Sequence, residues 1–192
     1  MPDQVPDVDS EAAAGAFSVL SDGTRVEILL ALWRGEHLSF AALQRAAGVD
    51  DSGRFNYHLD KLVGQFVAKD GDHYRLTSIG ASVVDLLLDA RFGPPPSPIT
   101  EATDADCPAC SGTIELVYEA GDIRLVCGAC EAVLHYDYFA PRGRLARDTA
   151  ATLTAYSRQF WRDVTLAHRG VCPHCSGRME TTVETDPDWA VA

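Results

Sequence analysis

Residues 53–77, GRFNYHLDKLVGQFVAKDGDHYRLT, change hydrophobic period half-way along, and that change decides the fold of the first half of the chain. Phe55, Leu59, Leu62, Val63 and Phe66 recur at helical spacing, which predicts a helix from near Asp51 to about Gln65 with these side chains as its buried stripe. FVAKD and HYRLT then read as two short strands flanking Asp70-Gly71-Asp72, a strong hairpin signal.

Working upstream, Ser39 is placed to cap a short helix, FAALQRAAG, which Gly48 closes. This helix and the next, joined by a turn at Gly48–Asp50, have the proportions of a helix-turn-helix. Before them, Ser21–Asp22 starts a helix in which Val26, Leu29, Leu30 and Trp33 recur at helical spacing, with Gly35 at the C′ position. An alanine-rich helix, EAAAGAFSVL, precedes that one, with Ser10 as its cap. Downstream, Thr77 caps a fifth helix, SIGASVVDLLLDARF. The order helix-helix-helix-helix-hairpin-helix predicts a winged helix-turn-helix domain over residues 11–92, after a disordered tail at 1–10.

With the apolar stripe of the fourth helix buried, Ser52, Arg54, Asn56, Tyr57 and Lys61 remain on its outer side. Arginine matches guanine O6/N7 and asparagine adenine N6/N7, whereas Ser, Tyr and Lys suit phosphates. These residue types also occur on any solvated amphipathic helix. His58 either faces phosphate or packs inward with a polar tip, and packing is the expectation. Lys69 and Arg75 flank a wing whose tip, Asp70 and Asp72, is acidic and should repel phosphate.

LSDGTRVEILLAL (20–32), GRFNYHLDKLVGQFVAKD (53–70) and the hairpin after them resemble the ArsR-type winged-helix regulators over roughly residues 14–90. The resemblance implies binding to double-stranded DNA as a homodimer, with helices one and five at the interface. Val83, Val84, Leu86, Leu87 and Leu88 give helix five more apolar residues than one face needs, which suits either a dimer contact or an intramolecular core. The chain departs from the family's metal sensors: residues 1–92 contain no cysteine, and helix five offers Asp85 and Asp89 but no histidine.

GPPPSP (93–98) is a stiff proline linker, so a boundary is expected over 93–103. All six cysteines follow it as C-x-x-C pairs. Cys107, Cys110, Cys127 and Cys130 have the spacing of a zinc ribbon over 104–140, in which four thiolates hold a structural Zn²⁺ with no open position. Between them Ile114, Leu116 and Tyr118 alternate, Gly121-Asp122 turns, and Ile123 and Leu125 alternate back. A redox dithiol pair is the competing reading, and two matched knuckles argue against it. His135 is assigned to a strand, LHYDYF, that continues the ribbon.

Leu145, Thr149, Leu153, Tyr156, Phe160, Val164 and Ala167 predict one long helix within 141–170. It is rich in arginine, suited to nucleic acid or to pairing with an acidic face of the winged domain, and the pairing is the expectation. Residues 171–192 read as the first half of a second ribbon, because CPHCSG (172–177) repeats CPACSG (107–112). The offset from Cys107 to Cys127, carried on from Cys172, falls on Ala192, so Cys172 and Cys175 are expected to form a weak second metal site or none, with His168, His174 and a partner subunit as the other sources of ligands.

The formal charge of −12 is unusual for a nucleic-acid binder. Only Lys61 and Lys69 are lysines and aspartate dominates the acids, a pattern similar to proteins adapted to molar salt. No apolar run approaches the ~18–20 residues of a membrane span, and no signal peptide is visible, so a cytoplasmic protein is expected. No Ser/His/Asp set, phosphate loop or open metal site points to an enzyme. The sequence therefore reads as an α+β protein, a winged helix-turn-helix followed by a small β ribbon, a long helix and a partial second ribbon. Its expected function is DNA-binding transcriptional regulation. The alternative is an adaptor of the basal machinery that binds RNA polymerase.

Overall fold

A computed structural model describes residues 8–182 and divides the chain between Leu87 and Leu88 into two units. The first contains α1 (Ser10–Leu20), α2 (Gly23–Gly35), β1 (Leu38–Ser39), α3 (Phe40–Ala46), α4 (Ser52–Leu62), β2 (Val67–Asp70), β3 (His73–Leu76) and α5 (Ser78–Leu88). The strands form one antiparallel sheet in the order β1-β3-β2. Asp70 pairs with His73, so the hairpin turns on Gly71 and Asp72, with Gly71 at φ 57°. This is the winged-helix order.

The core of this unit is almost entirely apolar. Ile28, Leu29 and Leu32 of α2 meet Leu43, Phe55, Leu59, Leu62, Phe66, Val67 and Val84, all buried. Phe40 and Phe55 pack edge to face at 5.0 Å. Each such side chain contributes about 1.5–3 kcal/mol by leaving water, so the unit needs no cross-link.

Several sequence expectations are corrected at this level. Asp9, not Ser10, caps α1, its carboxylate accepting from Ala12 N–H at 3.0 Å. Residues 8–9 are thus structured, and residues 1–7 of the expected tail lie outside the described ones. In α2 the buried face is Ile28, Leu29, Ala31 and Leu32, and Trp33 is exposed. Every residue from Ile28 to Trp33 is apolar, so periodicity alone could not select the face. Gly35 is the last helical residue and Glu36 takes the left-handed φ of 57°. A Cβ on Gly35 would meet only the end of the Leu38 side chain, at 2.9 Å, which would have to turn aside. Ser39 stands at the N-cap of α3 but makes no side-chain cap bond. The fourth helix stops at Leu62, three residues early: Val63 is extended and exposed, and Gly64 has φ 98°. The fifth helix stops at Leu88, and Ala90 follows at φ 66°.

The second unit contains β4 (Ile99–Asp106), β5 (Thr113–Glu119), β6 (Asp122–Cys127), β7 (Val133–Tyr138), α6 (Pro141–Leu145) and α7 (Thr149–His168). Its strands form an antiparallel meander, β4-β5-β6-β7. Alternation along β5 and β6 buries Leu116, Tyr118 and Ile123 with Phe139 and Tyr156. The Tyr118 hydroxyl donates to the Phe139 carbonyl at 3.2 Å, and the Gln159 amide donates to the Tyr138 carbonyl at 2.8 Å, tying α7 to the sheet.

β4 occupies residues expected in the linker, and its pairing with β5 breaks register between Ala102 and Asp106. Residues 88–92, expected in the winged domain, fall in the second unit. There Arg91 pairs with Asp89 and lies 4.7 Å from the Tyr138 ring centre. The single helix expected within 141–170 is two helices. Asp148 is extended and its carboxylate accepts from Ala151 N–H at 2.8 Å, capping α7 afresh; of the expected stripe, Leu145 and Val164 are exposed. No helix among the described residues is long and apolar enough to cross a membrane.

Candidate functional site

Two arrangements stand out, one in each unit. In the first, Asp51 caps α4 by accepting from Arg54 N–H at 2.7 Å. The helix buries Phe55, His58, Leu59 and Leu62, and this leaves Ser52, Arg54, Asn56, Tyr57 and Lys61 exposed together. Lys69 and Arg75, on the wing strands, are exposed as well.

Their partners all lie within the first unit. Ser52 Oγ donates to Gln44 Oε1 at 3.1 Å, and Gln44 Nε2 donates to the Val49 and Asp50 carbonyls at 2.9 and 3.0 Å. Gln44 thereby fixes the turn between α3 and α4. Arg54 reaches Thr24 Oγ1 at 3.4 Å, and Asn56 Nδ2 donates to Asp60 at 2.9 Å. Lys61 lies 5.7 Å from the Tyr57 ring and Lys69 5.6 Å from the Tyr74 ring. Arg75 Nη1 contacts only the Leu76 carbonyl, at 3.5 Å. Sequence reasoning did not pick out Thr24, Gln44 or Asp60. The i,i+4 spacing of Asn56 and Asp60 was a usable signal; the other two depend on tertiary placement.

His58 packs inward, as expected. Its Nδ1 lies 3.5 Å from Asp22, the cap of α2. Burial pushes the Asp22 carboxyl up, but the Thr24 N–H and the imidazole outweigh it and hold it below its ordinary value. Beside this pair, Thr24, Glu27, Ala47, Gly48, Val49, Asp50, Asp51 and Arg54 line an open cleft of about 410 Å³.

In the second unit, Cys107, Cys110, Cys127 and Cys130 converge, all four sulfurs lying within 4.8 Å of one another. Cys107–Cys130 and Cys110–Cys127 are 3.9 and 3.4 Å apart. A tetrahedral ion with bonds of about 2.3 Å needs edges of about 3.8 Å, so the donor set fits one. Each knuckle is closed by its own backbone. A Cβ on Gly112 would lie 2.6 Å from Ala129 Cβ and 3.0 Å from Cys127 Sγ, so glycine is what lets the knuckles meet.

The N–H groups of Cys130 and Ala129 hold the Cys127 thiol down to about 6. At Cys110 the Gly112 N–H lowers the pKa, but the bonds shared with Cys127, Cys130 and Cys107 outweigh it and push the thiol up to about 12. Without metal, charge gathers on Cys127 and a proton stays on Cys110. Cys172 and Cys175 stand apart from this cluster. Of the expected second half-ribbon, residues 183–192 lie outside the described ones.

Fold and sites together define a winged helix-turn-helix unit followed by a four-cysteine β ribbon. Residues 13–87 match the family model of a domain of unknown function (DUF7347), and residues 104–191 match that of another (DUF7351). No curated protein and no solved structure matches the chain.

Proposed function

We propose that the protein is a sequence-specific DNA-binding transcriptional regulator of the ArsR type whose ribbon is held by structural Zn²⁺. The observation that carries the reading is the split of α4: one face is wholly buried, and the other offers Ser52, Arg54, Asn56, Tyr57 and Lys61 together, beside a wing bearing Lys69 and Arg75. In the major groove Arg54 would read guanine and Asn56 adenine, with Ser52, Tyr57 and Lys61 on phosphates. A homodimer follows the same reading. It is supported by α1, an apolar helix that buries no residue and leaves Phe17 exposed, and by Ile79 exposed on α5. Four thiolates leave zinc no open position, so the ion shapes the ribbon and takes no part in chemistry. We place this regulator in the cytoplasm.

A second reading draws on the acids around the same face. Asp50, Asp51, Asp60, Asp70 and Asp72 are all exposed there. An adaptor contacting RNA polymerase through basic protein surfaces would use them directly.

Selection of bound fragments from genomic DNA at high salt separates the two, since salt weakens phosphate contacts and leaves base readout to discriminate. A palindromic site enriched from the genome is the expected result. Recovery of fragments with no shared sequence, together with co-purification of the polymerase, would overturn the regulator in favour of the adaptor.

A further inference from the structure

The third cysteine pair lies outside the ribbon cluster, yet its backbone is folded in the same way. In the first knuckle Cys107 N–H donates to the Gly112 carbonyl at 2.7 Å and Ser111 N–H to the Cys107 carbonyl at 2.8 Å. In the second, Cys127 bonds Ala132 at 2.9 Å and Glu131 bonds Cys127 at 3.0 Å. In the third, Cys172 bonds Gly177 at 2.8 Å and Ser176 bonds Cys172 at 2.9 Å. The residue after each second cysteine takes a left-handed φ: 59° at Ser111, 60° at Glu131 and 60° at Ser176. None of these is glycine, so each knuckle holds backbone strain to keep its shape. A bridge between Val171 and Arg178 closes the third loop.

The first two knuckles show what such a loop does. Each fixes two sulfurs as one edge of a tetrahedron, and a site forms when a second edge faces it. The third knuckle has its edge ready, with Cys172 half-buried and Cys175 exposed. The other four cysteines of the sequence are already together. Among the described residues the ribbon is the only metal-competent cluster of three or more ligands, so His168 and His174 do not complete this one.

We infer that Cys172 and Cys175 form half of a Zn²⁺ site completed by the same two cysteines of a second copy of the chain. Four thiols give up their protons to solvent as the ion binds, leaving a tetrathiolate centre of charge −2. Such an isologous site requires only that the two knuckles face each other across a two-fold axis. Arg169, exposed beside the knuckle, supplies positive charge where two strongly acidic chains would otherwise repel and where the centre itself is anionic, whereas Arg178 on the other side is paired with Glu180 at 3.6 Å. The inference does not depend on DNA binding.

The test is elemental analysis and native mass spectrometry of the full chain, purified under reducing conditions with zinc. We expect about 1.5 zinc ions per chain and a dimer carrying about three, because one ion is shared. The double variant Cys172→Ser, Cys175→Ser should fall to about 1 per chain, and its heterodimer with the wild type should carry about two. A separate variant, Cys107→Ser with Cys110→Ser, should keep about 0.5 per chain, so failure of the ribbon site is distinguishable from failure of the shared one. A wild-type content of about 1 per chain would show an idle dithiol, and about 2 a site completed within one chain. Either would overturn the shared site, and neither depends on how well a variant folds.

Discussion

The winged unit and the knuckle end of the ribbon are stabilised by opposite means, while the rest of the second unit has an apolar core of its own around Tyr118 and Tyr156. In the winged unit, Leu43, Phe55, Leu59 and Leu62 are fully withdrawn from water around α2. At the knuckle end of the ribbon, by contrast, the buried set is only Cys107, Ile114 and Cys127, with Leu125 packed against it. An apolar core has no switch, because nothing short of unfolding removes it. A thiolate cluster can be dismantled by taking away one ion. Small domains that bury too little apolar surface rely on metals or cross-links for this reason.

The largest break in that symmetry should come from chelation. Structural zinc contributes on the order of 10–16 kcal/mol to small metal-dependent folds, so removing it from the full chain should unravel the knuckle end of the ribbon while the winged unit stays folded. Amide exchange should show protection lost at Ile114 and Cys127 and kept at Leu29 and Leu59; equal loss in both would refute the separation. In the other direction, Leu59→Ala should destabilise the winged unit by about 2–5 kcal/mol and leave the metal content unchanged. Calorimetry with metal analysis checks both halves of that statement.

Arg54→Ala should sharpen the contrast between folding and function. It should cost about 1–3 kcal/mol of specific DNA binding with neither thermal transition moved. An unchanged footprint on the selected site would remove Arg54 from the reading face.

Acid should separate the units by small but ordered effects. Metal binding must displace the Cys110 proton, held up to about 12, so apparent zinc affinity should rise steadily with pH above neutrality. It should fall further once pH drops through about 6, where Cys127 also takes a proton. Asp22 has a lowered folded pKa, so its contribution to the winged unit is complete above the unfolded value, about 3.9, and disappears as pH falls through the folded one. A chelator competition series and an acid melt followed by circular dichroism would test the order. A winged unit lost before the ribbon would contradict it.

How much was legible in advance tracks the same division. The ribbon ligands could be read because cysteine pairs have few other uses at that spacing, and the Gly71 hairpin because its turn is local. The outer face of α4 was legible because Phe55, Leu59 and Leu62 define its opposite. The buried face of α2 was not, since a continuous apolar run carries no phase. β4 was missed because its residues are mostly polar and exposed, and its strand character comes from pairing with β5 rather than from any alternation of its own. The break before α7 rests on Asp148, whose capping role competes with an apolar spacing that runs straight through it.

β4 is also an outer strand of its sheet, and it carries Glu101, Asp104 and Asp106 exposed along that margin. In dilute buffer these carboxylates repel a like edge and keep one sheet from templating another. In molar salt the screening length shrinks to about 3 Å, less than the roughly 4.8 Å between paired strands, so repulsion no longer reaches a neighbour. What then guards the margin is the shell of water the carboxylates hold and the register break after Ala102, which denies an incoming strand a regular ladder.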